Sequence, residues 1–332
     1  MKKKLILIVT ILCVTVSLIG CGNKNEPSNT KADNKIEETT EVKIVVPDGL
    51  PAIASAKLIK ENKEIKKNYK TDYTIEKTSE NIVSSVLKGE PDIAIVPSNV
   101  AATQYNKGAL YEIAGTVGWG CFYLVSTDGE ISLENLKGKE IYNIGKGLTP
   151  DIVTKSVLKD MGYGDEDFNF SYVSGVTELA PTVIAGKTPY AVLPEPALTQ
   201  VLSKNNKVSI ILDLNEIWKE KNNSEYGFPQ STVIVKKDFA DKNKEFIDEF
   251  LDKLEESCEF AEKGTEELGS FCEEIGVSAN KDIIPKAMEK ANIDYEGIDD
   301  THKEYNSYFE KLNSFDASTI GGKVPDEAIF ME

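Results

Sequence analysis

Apolar and polar residues alternate with two different periods between Val42 and Val235, which predicts strands and helices in turn. Short apolar runs such as Val42–Val46 and Asp92–Val96 are closed by turn residues, and segments such as Leu50–Asn62 follow them with apolar residues three or four positions apart. The first pattern is typical of buried strands and the second of helices. The repeated order of strand and helix predicts an α/β fold with largely parallel sheets.

A break in this pattern at Gly115–Gly120 separates two units of similar organisation and marks a candidate hinge. The second unit ends in predicted strands at Val208–Leu212 and Ser231–Val235, joined by a long polar loop that contains Trp218 and Tyr226. From residue 242 onward only helical periods occur, so the last third cannot form another sheet.

The pattern therefore predicts two lobes, each a mainly parallel sheet flanked by helices. Lobe one consists of residues 42–120 and 236–332, and lobe two consists of residues 121–235. The helical C-terminal third is expected to pack on lobe one, so the chain crosses between the lobes at least twice.

The first 41 residues have the pattern of an export signal followed by a linker. Three lysines at positions 2–4 precede an apolar run that stops at Gly20-Cys21. The run is about 15 residues long, whereas a spanning helix needs roughly 20, so a cleaved signal peptide at residues 1–20 is favoured over a permanent membrane helix. Gly22–Glu41 is polar and contains Pro27. This composition is typical of a disordered tether, so the folded part is expected to begin near Val42.

Leu18-Ile19-Gly20-Cys21 resembles the lipobox of bacterial lipoproteins. The resemblance implies that Cys21 is acylated at sulfur, for example with palmitate, and becomes the mature N-terminus. A lipid anchor of this kind would hold the folded domain on the extracytoplasmic face of the cell membrane.

The chain is acidic, with 38 Lys plus Arg residues against 55 Asp plus Glu residues and a formal net charge of −17. Such a charge repels phosphate backbones and argues against a nucleic-acid partner. The sequence contains no arginine, so every basic side chain is a lysine apart from one histidine. Bidentate binding of a carboxylate, phosphate or sulfonate by guanidinium is therefore not possible, and an anionic ligand would depend on lysines, hydroxyls and backbone N–H groups.

Neither a metal site nor a catalytic constellation is evident in the sequence. Cys121, Cys258 and Cys272 form no close CxxC pair, which argues against a metal site. Cys258 and Cys272 are either two separate buried thiols or a disulfide. Gly186-Lys187-Thr188 resembles the end of a phosphate-binding loop, but Pro181 occupies the position of the required upstream glycine. We therefore predict a protein without enzymatic activity, metal or cofactor.

Several segments resemble the nitrate/taurine/thiamine-precursor group of ABC-importer solute-binding proteins. They are Lys88–Ala94 with Pro97-Ser98 after it, Leu133–Lys139, and Ala185–Ala191 running into Leu193–Pro196. With the lipobox, their order covers most of the chain up to about Lys263. The resemblance implies the type II periplasmic-binding-protein fold, a small-molecule solute, an ABC permease with its ATPase as partners, and a monomer.

Ligands of open α/β sheets bind beyond the carboxyl ends of strands, where the first turns of helices present unpaired N–H groups. Two such lobes facing each other form a cleft that closes by hinge bending. On this basis we predict a set of ligand-binding residues at the strand ends and the hinge. They are Pro47, Gly49, Leu50, Ser79, Ser98, Asn99, Trp119, Gly120, Thr149, Thr177 and Glu195.

Several of these residues also have a purely structural interpretation. Ser98 and Asn99 are favoured helix N-caps, and Thr149 fits an N-cap followed by proline. Trp119 either stacks on a ligand ring or fills the core near the hinge. Glu195 is either a lobe-surface carboxylate or the group that accepts hydrogen bonds from an amine or aminopyrimidine and repels anions.

The sequence thus predicts a solute-binding lipoprotein for a nitrogen heterocycle or a metabolite similar to a thiamine precursor. One alternative solute is an anion of the sulfonate, taurine or nitrate kind, bound at helix N-termini. An enzyme of the same fold that makes a pyrimidine or menaquinone precursor and a sensory or adhesive lipoprotein are alternatives from other functional classes.

Overall fold

The computed structural model describes residues 39–332, apart from the side chain of Ser79, and contains eleven strands in this range. The strands are β1 (Thr40–Pro47), β2 (Tyr69–Glu76), β3 (Ile93–Pro97), β4 (Tyr111–Trp119), β5 (Phe122–Ser126), β6 (Glu140–Ile144), β7 (Asn169–Val173), β8 (Tyr190–Pro194), β9 (Ser209–Asp213), β10 (Pro229–Lys236) and β11 (Glu296–Gly297). The predicted signal peptide and the predicted lipid attachment at Cys21 lie outside the described residues.

The strands form two sheets, one in each lobe. The sheet of lobe one has six strands in the order β11-β4-β10-β3-β1-β2, and the sheet of lobe two has five in the order β7-β6-β8-β5-β9. In lobe one, β1 runs parallel to β2 and β3, whereas β10 is antiparallel to both β3 and β4. In lobe two, β6 runs parallel to β7 and β8, and β5 is antiparallel to β8 and β9. The two-sheet α/β fold is confirmed, but both sheets are mixed where mainly parallel sheets were predicted.

Thirteen α-helices flank these sheets within the described range. They are α1 (Leu50–Ala54), α2 (Ala56–Glu61), α3 (Ser79–Leu87), α4 (Ser98–Asn106), α5 (Thr149–Asp160), α6 (Val176–Ile184), α7 (Ala197–Lys204), α8 (Leu214–Asn222), α9 (Lys237–Ala240), α10 (Lys244–Glu262), α11 (Glu266–Ile275), α12 (Ile284–Ala287) and α13 (Ile298–Asp316). Most of them follow a strand directly, as the alternating pattern of the sequence predicts.

The core of lobe one explains why the C-terminal helices fold back onto the first sheet. Val42, Ile44 and Val46 of β1 are buried and alternate with more exposed neighbours. They share one hydrophobic cluster with Leu58 of α2 and Phe250 of α10. Burying each side chain of this size contributes about 1.5–3 kcal/mol, so the helical third stabilises the sheet on which it packs.

Three parts of the observed topology differ from the sequence prediction. The supposed break at Gly115–Gly120 is mostly the end of β4, in which Gly115 allows β11 to approach: a Cβ atom there would lie 2.8 Å from the carbonyl oxygen of Glu296. β10, assigned to lobe two, pairs with β3 and β4 of lobe one, so the chain returns before Pro229 and not at residue 236. The supposed loop around Trp218 contains α8, which buries that indole.

Aromatic side chains of α8, of α13 and of the segment before β10 pack together and connect the two lobes. Trp218 of α8 packs against Phe228, with ring centroids 5.5 Å apart, and against Tyr308 of α13, at 5.8 Å. Lys311 of α13 forms an ion pair with Asp160 of α5. The last helix therefore contacts both lobes, although the C-terminal third was expected to pack on lobe one alone.

Candidate functional site

A cleft of about 640 Å³ lies between the two lobes, next to the carboxyl ends of β1, β6 and β8. Lobe one contributes Asp48–Pro51 at the start of α1 and Gln230 of β10. Lobe two contributes Phe122, the first residues of α6 and the Pro194–Ala197 segment before α7. The first N–H groups of a helix have no partner within the helix, so α1, α6 and α7 border the cleft with polar backbone groups.

A third wall of the cleft comes from the turn between α11 and α12, residues 276–283. Ser278, Ala279, Asn280 and Ile283 of this turn line the cleft. Gly276 follows the last residue of α11, and its φ of 87° is in the left-handed region that favours glycine. The C-terminal third therefore supplies part of the site as well as part of the core.

Local sequence explains how the first wall forms. Gly49 has a φ of 106°, which an L-amino acid rarely adopts, and Pro51 lies in the first turn of α1, where its missing N–H costs nothing. The Pro-Asp-Gly-Leu-Pro sequence thus turns the chain sharply from β1 into α1. Gly49 and Leu50, both predicted ligand residues, line the cleft as a result.

Glu195 is the buried carboxyl group of the cleft, with 3% of its surface exposed. Its two carboxylate oxygens accept hydrogen bonds from the backbone N–H of Thr199, at 3.1 Å, and from the Thr199 hydroxyl, at 2.8 Å. Burial raises the pKa of Glu195 to about 7, although the bonds from Thr199 and the charge of Lys290 act in the opposite direction. A carboxylate has lone pairs beyond those two bonds, so Glu195 can still accept an N–H donor from a solute.

The rest of the lining combines apolar side chains with a few uncharged polar groups. Leu50, Phe122 and Ile283 are apolar, and no lysine occurs among the lining residues, all of which are described. Within residues 39–332, the side chains of Thr177 and Gln200 have no hydrogen-bond partner and are available to a solute. Apart from the carboxyl groups of Asp48 and Glu195, the lining is therefore uncharged.

Asp48 is the second carboxylate of the lining, but neighbouring groups of the protein already bond to both of its oxygens. Its Oδ1 accepts hydrogen bonds from the backbone N–H groups of Gly49 and Ser278, each at 3.0 Å, and Lys77 lies 3.2 Å from its Oδ2. Burial alone would raise the pKa of Asp48, but the bonds with Ser278 and Lys77 outweigh burial and lower the pKa. Asp48 is therefore ionised and neutralised locally by Lys77, whereas Glu195 is bonded only by neutral groups of Thr199 and the charge of Lys290 acts on it from outside the lining.

Of the predicted ligand residues, Gly49, Leu50, Thr177 and Glu195 line the cleft, and the others lie elsewhere. Ser98 is fully buried, with its hydroxyl 2.8 Å from the carbonyl oxygen of Pro229 and 2.6 Å from Oγ1 of Thr232. The hydroxyl of Thr149 donates to the side-chain oxygen of Asn99, at 3.1 Å. These two predicted residues from opposite lobes thus form a hydrogen bond between the lobes, and their role as ligand residues stays a prediction.

The hinge residues and the first strand end also lie outside the lining. Trp119 is 2% exposed and stacks on Tyr226, with ring centroids 4.8 Å apart, so the core interpretation of this indole holds. Gly120 is packed so closely that a Cβ atom would lie 2.2 Å from the ring of Phe228. Pro47 ends β1 just before the cleft, and Ser79 begins α3, with its side chain outside the described part of the structure.

Sequence reasoning missed other residues of the lining. Phe122, Gln200 and Gln230 carry no local motif, and the 276–283 turn is more than 200 residues from α1 along the chain. Only the proline at position 196, just before the helix with Gln200, gave a signal that this helix starts near the site. The remaining residues reach the cleft through tertiary packing.

The described residues give no positive sign of metal or covalent chemistry. Cys121 borders the cleft, and burial raises the pKa of its thiol to about 12, so it is protonated at neutral pH. Cys258 and Cys272 are buried free thiols. Within residues 39–332 no cluster of three His, Cys, Asp or Glu side chains is arranged to hold a metal ion, and no helix is long and apolar enough to cross a bilayer.

A protein-family model described as menaquinone biosynthesis matches residues 64–317, which is more than half of the chain. The chain belongs to this menaquinone-biosynthesis family. Among curated proteins, none is significantly similar in sequence.

Solved structures place this family member among proteins with the same two-lobed fold. An ABC transporter protein from Parabacteroides distasonis is 29% identical, with a TM-score of 0.77, and the match covers 88% of this chain and 99% of that one. The periplasmic aliphatic sulphonate-binding protein of Escherichia coli is 13% identical over 89% of this chain and 92% of that one, with a TM-score of 0.72.

The periplasmic nitrate-binding protein of Synechocystis PCC 6803 has a TM-score of 0.56 at 14% identity, covering 78% of this chain and 74% of that one. At such identities the sulphonate- and nitrate-binding structures show the fold alone. The predicted type II periplasmic-binding-protein fold and the resemblance to ABC-importer binding proteins are confirmed by these matches.

Proposed function

We propose that the protein is an extracytoplasmic solute-binding lipoprotein that captures a small organic solute in the interlobe cleft and delivers it to an ABC importer. The proposal rests on the cleft, which is bounded by the first turns of helices from both lobes. The cleft contains a buried carboxyl group that can accept further hydrogen bonds. The match with the Parabacteroides ABC transporter protein, which extends over 99% of that chain, supports the same function. Acylated Cys21 would anchor the domain beside its permease.

The solute is proposed to be a nitrogen heterocycle or a related metabolite that carries an N–H donor or a positive charge. Glu195 would accept hydrogen bonds from that nitrogen, while Leu50 and Phe122 would contact its apolar part. A sulfonate or nitrate would meet the carboxyl group of Glu195 and no lysine in the lining, and no arginine exists to compensate. The charge of the cleft therefore favours the heterocycle over the anion.

A thermal-shift screen of residues 22–332 tests both parts of the proposal. The panel contains heterocyclic vitamins and their precursors, simple amines, sulfonates and inorganic anions. A ligand at a hundred times its dissociation constant adds about 2.7 kcal/mol to the free energy of unfolding, which raises the melting temperature measurably. A shift with sulfonates and none with heterocycles would reject the solute class, and no shift with any member of the panel would count against the function itself.

Glu195→Gln provides the residue-level test, with Glu178→Gln as its matched control. Glu178 also accepts a backbone N–H bond at the start of a lobe-two helix, from Ser174 at 3.0 Å, but it does not line the cleft. The Glu195 variant should bind a cationic heterocycle at least tenfold more weakly, because a charge-assisted hydrogen bond is replaced by a neutral one. The Glu178 variant should bind as the wild type does.

The family match favours one second candidate, an enzyme of this fold that makes a menaquinone precursor. Glu195 would then act as a general base, since a pKa of about 7 suits proton transfer at neutral pH. The two functions differ in the fate of the ligand. Recovery of a bound solute unchanged after prolonged incubation, checked by mass spectrometry, would support binding, and its conversion would support the enzyme.

A further inference from the structure

The 276–283 turn forms one wall of the cleft without belonging to a helix or strand. It follows α11 and precedes the short α12, and Val277 anchors it in the core of lobe one. Side chains on both sides of Asn280 reach the cleft lining. The position of this wall therefore depends on the contacts that hold the turn.

Lys77, which follows β2, makes three of these contacts with one ammonium group. Its Nζ donates to the carbonyl oxygen of Gly276 at 2.7 Å and to the hydroxyl of Ser278 at 3.0 Å. The same Nζ lies 3.2 Å from Oδ2 of Asp48. Lys77 itself is not among the residues that line the cleft.

Asp48 completes the connection between this turn and the start of α1. Its Oδ1 accepts the N–H of Ser278 and the N–H of Gly49, each at 3.0 Å. Within residues 39–332, the hydrogen bonds between the turn and the α/β part of lobe one all involve Asp48 or Lys77. The two charged groups thus fix the turn relative to Gly49 and Leu50, which form the facing part of the lobe-one wall.

We propose that Lys77 is a positioning residue for the solute site, which holds the 276–283 turn against the start of α1 and so fixes the width of the cleft at Leu50. This inference rests on the proposed function, since it assigns a role in the same cleft. The Lys77 ammonium is half-exposed, and exposed ion pairs add little to overall stability. Its removal should therefore release the turn without unfolding the domain.

Lys77→Met, which keeps an unbranched side chain only one atom shorter but removes its donors, is the test variant, and Lys77→Arg is the rescue. Lys60→Met is the matched control, because Lys60 pairs with Glu274 of α11 and, within the described residues, forms no hydrogen bond or ion pair with the turn. Amide hydrogen exchange of the ligand-free proteins reports the turn directly. In Lys77→Met, amides in 276–283 should exchange about tenfold faster, as expected when charge-assisted hydrogen bonds are lost from a local opening equilibrium.

Calorimetric titration with thiamine as the probe then reports the cleft. We expect about tenfold weaker binding by Lys77→Met, near wild-type binding by Lys77→Arg, and wild-type binding by Lys60→Met. Unchanged exchange in Lys77→Met, equal acceleration in Lys60→Met, or faster exchange with unchanged thiamine affinity would each overturn the inference. If the wild type does not bind thiamine, thiamine is excluded as the solute, and the exchange data alone decide whether Lys77 holds the turn.

Discussion

Replacement of Glu195 by glutamine should stabilise the ligand-free protein at alkaline pH while it weakens solute binding. Glutamine has the shape of glutamate, so its side-chain oxygen can still accept the N–H of Thr199, and its amide can donate to the Thr199 hydroxyl. What the substitution removes is a buried negative charge. In the native protein that charge is unfavourable, as the raised pKa of Glu195 indicates.

The size and sign of the effect follow from linkage between protonation and folding. The pKa of Glu195 rises from 4.5 in its ordinary state to about 7 in the folded protein. The native state therefore holds the proton more tightly than the unfolded chain, and stability falls as the pH rises from 4.5 to 7. Each unit of difference in pKa between the two states corresponds to roughly 1.4 kcal/mol, so ionisation of Glu195 should lower the free energy of unfolding by about 3 kcal/mol across this window.

Urea unfolding of wild type and Glu195→Gln at pH 4.5 and pH 8 measures this difference. The variant should be about 3 kcal/mol more stable at pH 8 and nearly equal to wild type at pH 4.5. The reason is that only the wild type contains a buried carboxyl group that must ionise at pH 8. Glu178→Gln, which changes a more exposed carboxylate, serves as the control and should show no such gain. A gap between Glu195→Gln and wild type that does not change with pH would refute the linkage argument.

Three further predictions concern binding and packing. A cationic solute should bind Glu195 about tenfold more weakly per pH unit below 7, because the protonated carboxyl no longer attracts it, and calorimetry at several pH values measures this. Trp218→Ala should lower the free energy of unfolding by about 3–5 kcal/mol, and a loss below about 1 kcal/mol in urea unfolding would contradict its core position. Gly120→Ala should cost about 1–3 kcal/mol through a clash with Phe228, whereas Gly118→Ala, whose Cβ atom would lie 3.7 Å from Ser231, should cost less in the same assay.

Local patterns in the sequence predict most of the helices and strands but not how the strands pair. Hydrophobic periodicity places β1, β3 and α10 close to their observed bounds, since β1 and α10 each bury one face and β3 is a short run buried on both faces. Periodicity does not encode partners, so it could not assign β10 to lobe one. The antiparallel pairing of β10 with β3 and β4 depends on contacts more than 100 residues apart in the chain.

The sequence interpretation was wrong at glycines that close packing requires. The glycines of β4 suggested a flexible break, but Gly115 makes room for the β11 backbone and Gly120 makes room for Phe228. The sequence does not distinguish a glycine that permits close approach of another chain segment from a glycine that provides flexibility. Only the neighbouring chain distinguishes the two cases.

The same limitation applies to the candidate site. Ser98, Asn99 and Thr149 are residue types that often contact ligands. In the structure the Ser98 hydroxyl donates to the carbonyl oxygen of Pro229, and the Thr149 hydroxyl donates to the side-chain oxygen of Asn99 in the other lobe. Glu195 was identified correctly as a cleft residue because its position at the end of β8 follows from the strand pattern alone. Its raised pKa required the burial that only the fold provides.

The proposed binding function and the alternative enzyme would use the same cleft, and the groups around Glu195 bear on the choice between them. An acid–base enzyme commonly needs a second group to return or receive the proton that its base moves. Within the lining, the thiol of Cys121 is too weak an acid for that role at neutral pH, and Asp48 is held ionised by Ser278 and Lys77. A buried carboxyl group with acceptor capacity left over, such as Glu195, would instead be sufficient to hold a nitrogen base in one orientation. We therefore retain capture of a solute as the proposed use of the cleft, to be decided against conversion by the fate of the bound ligand.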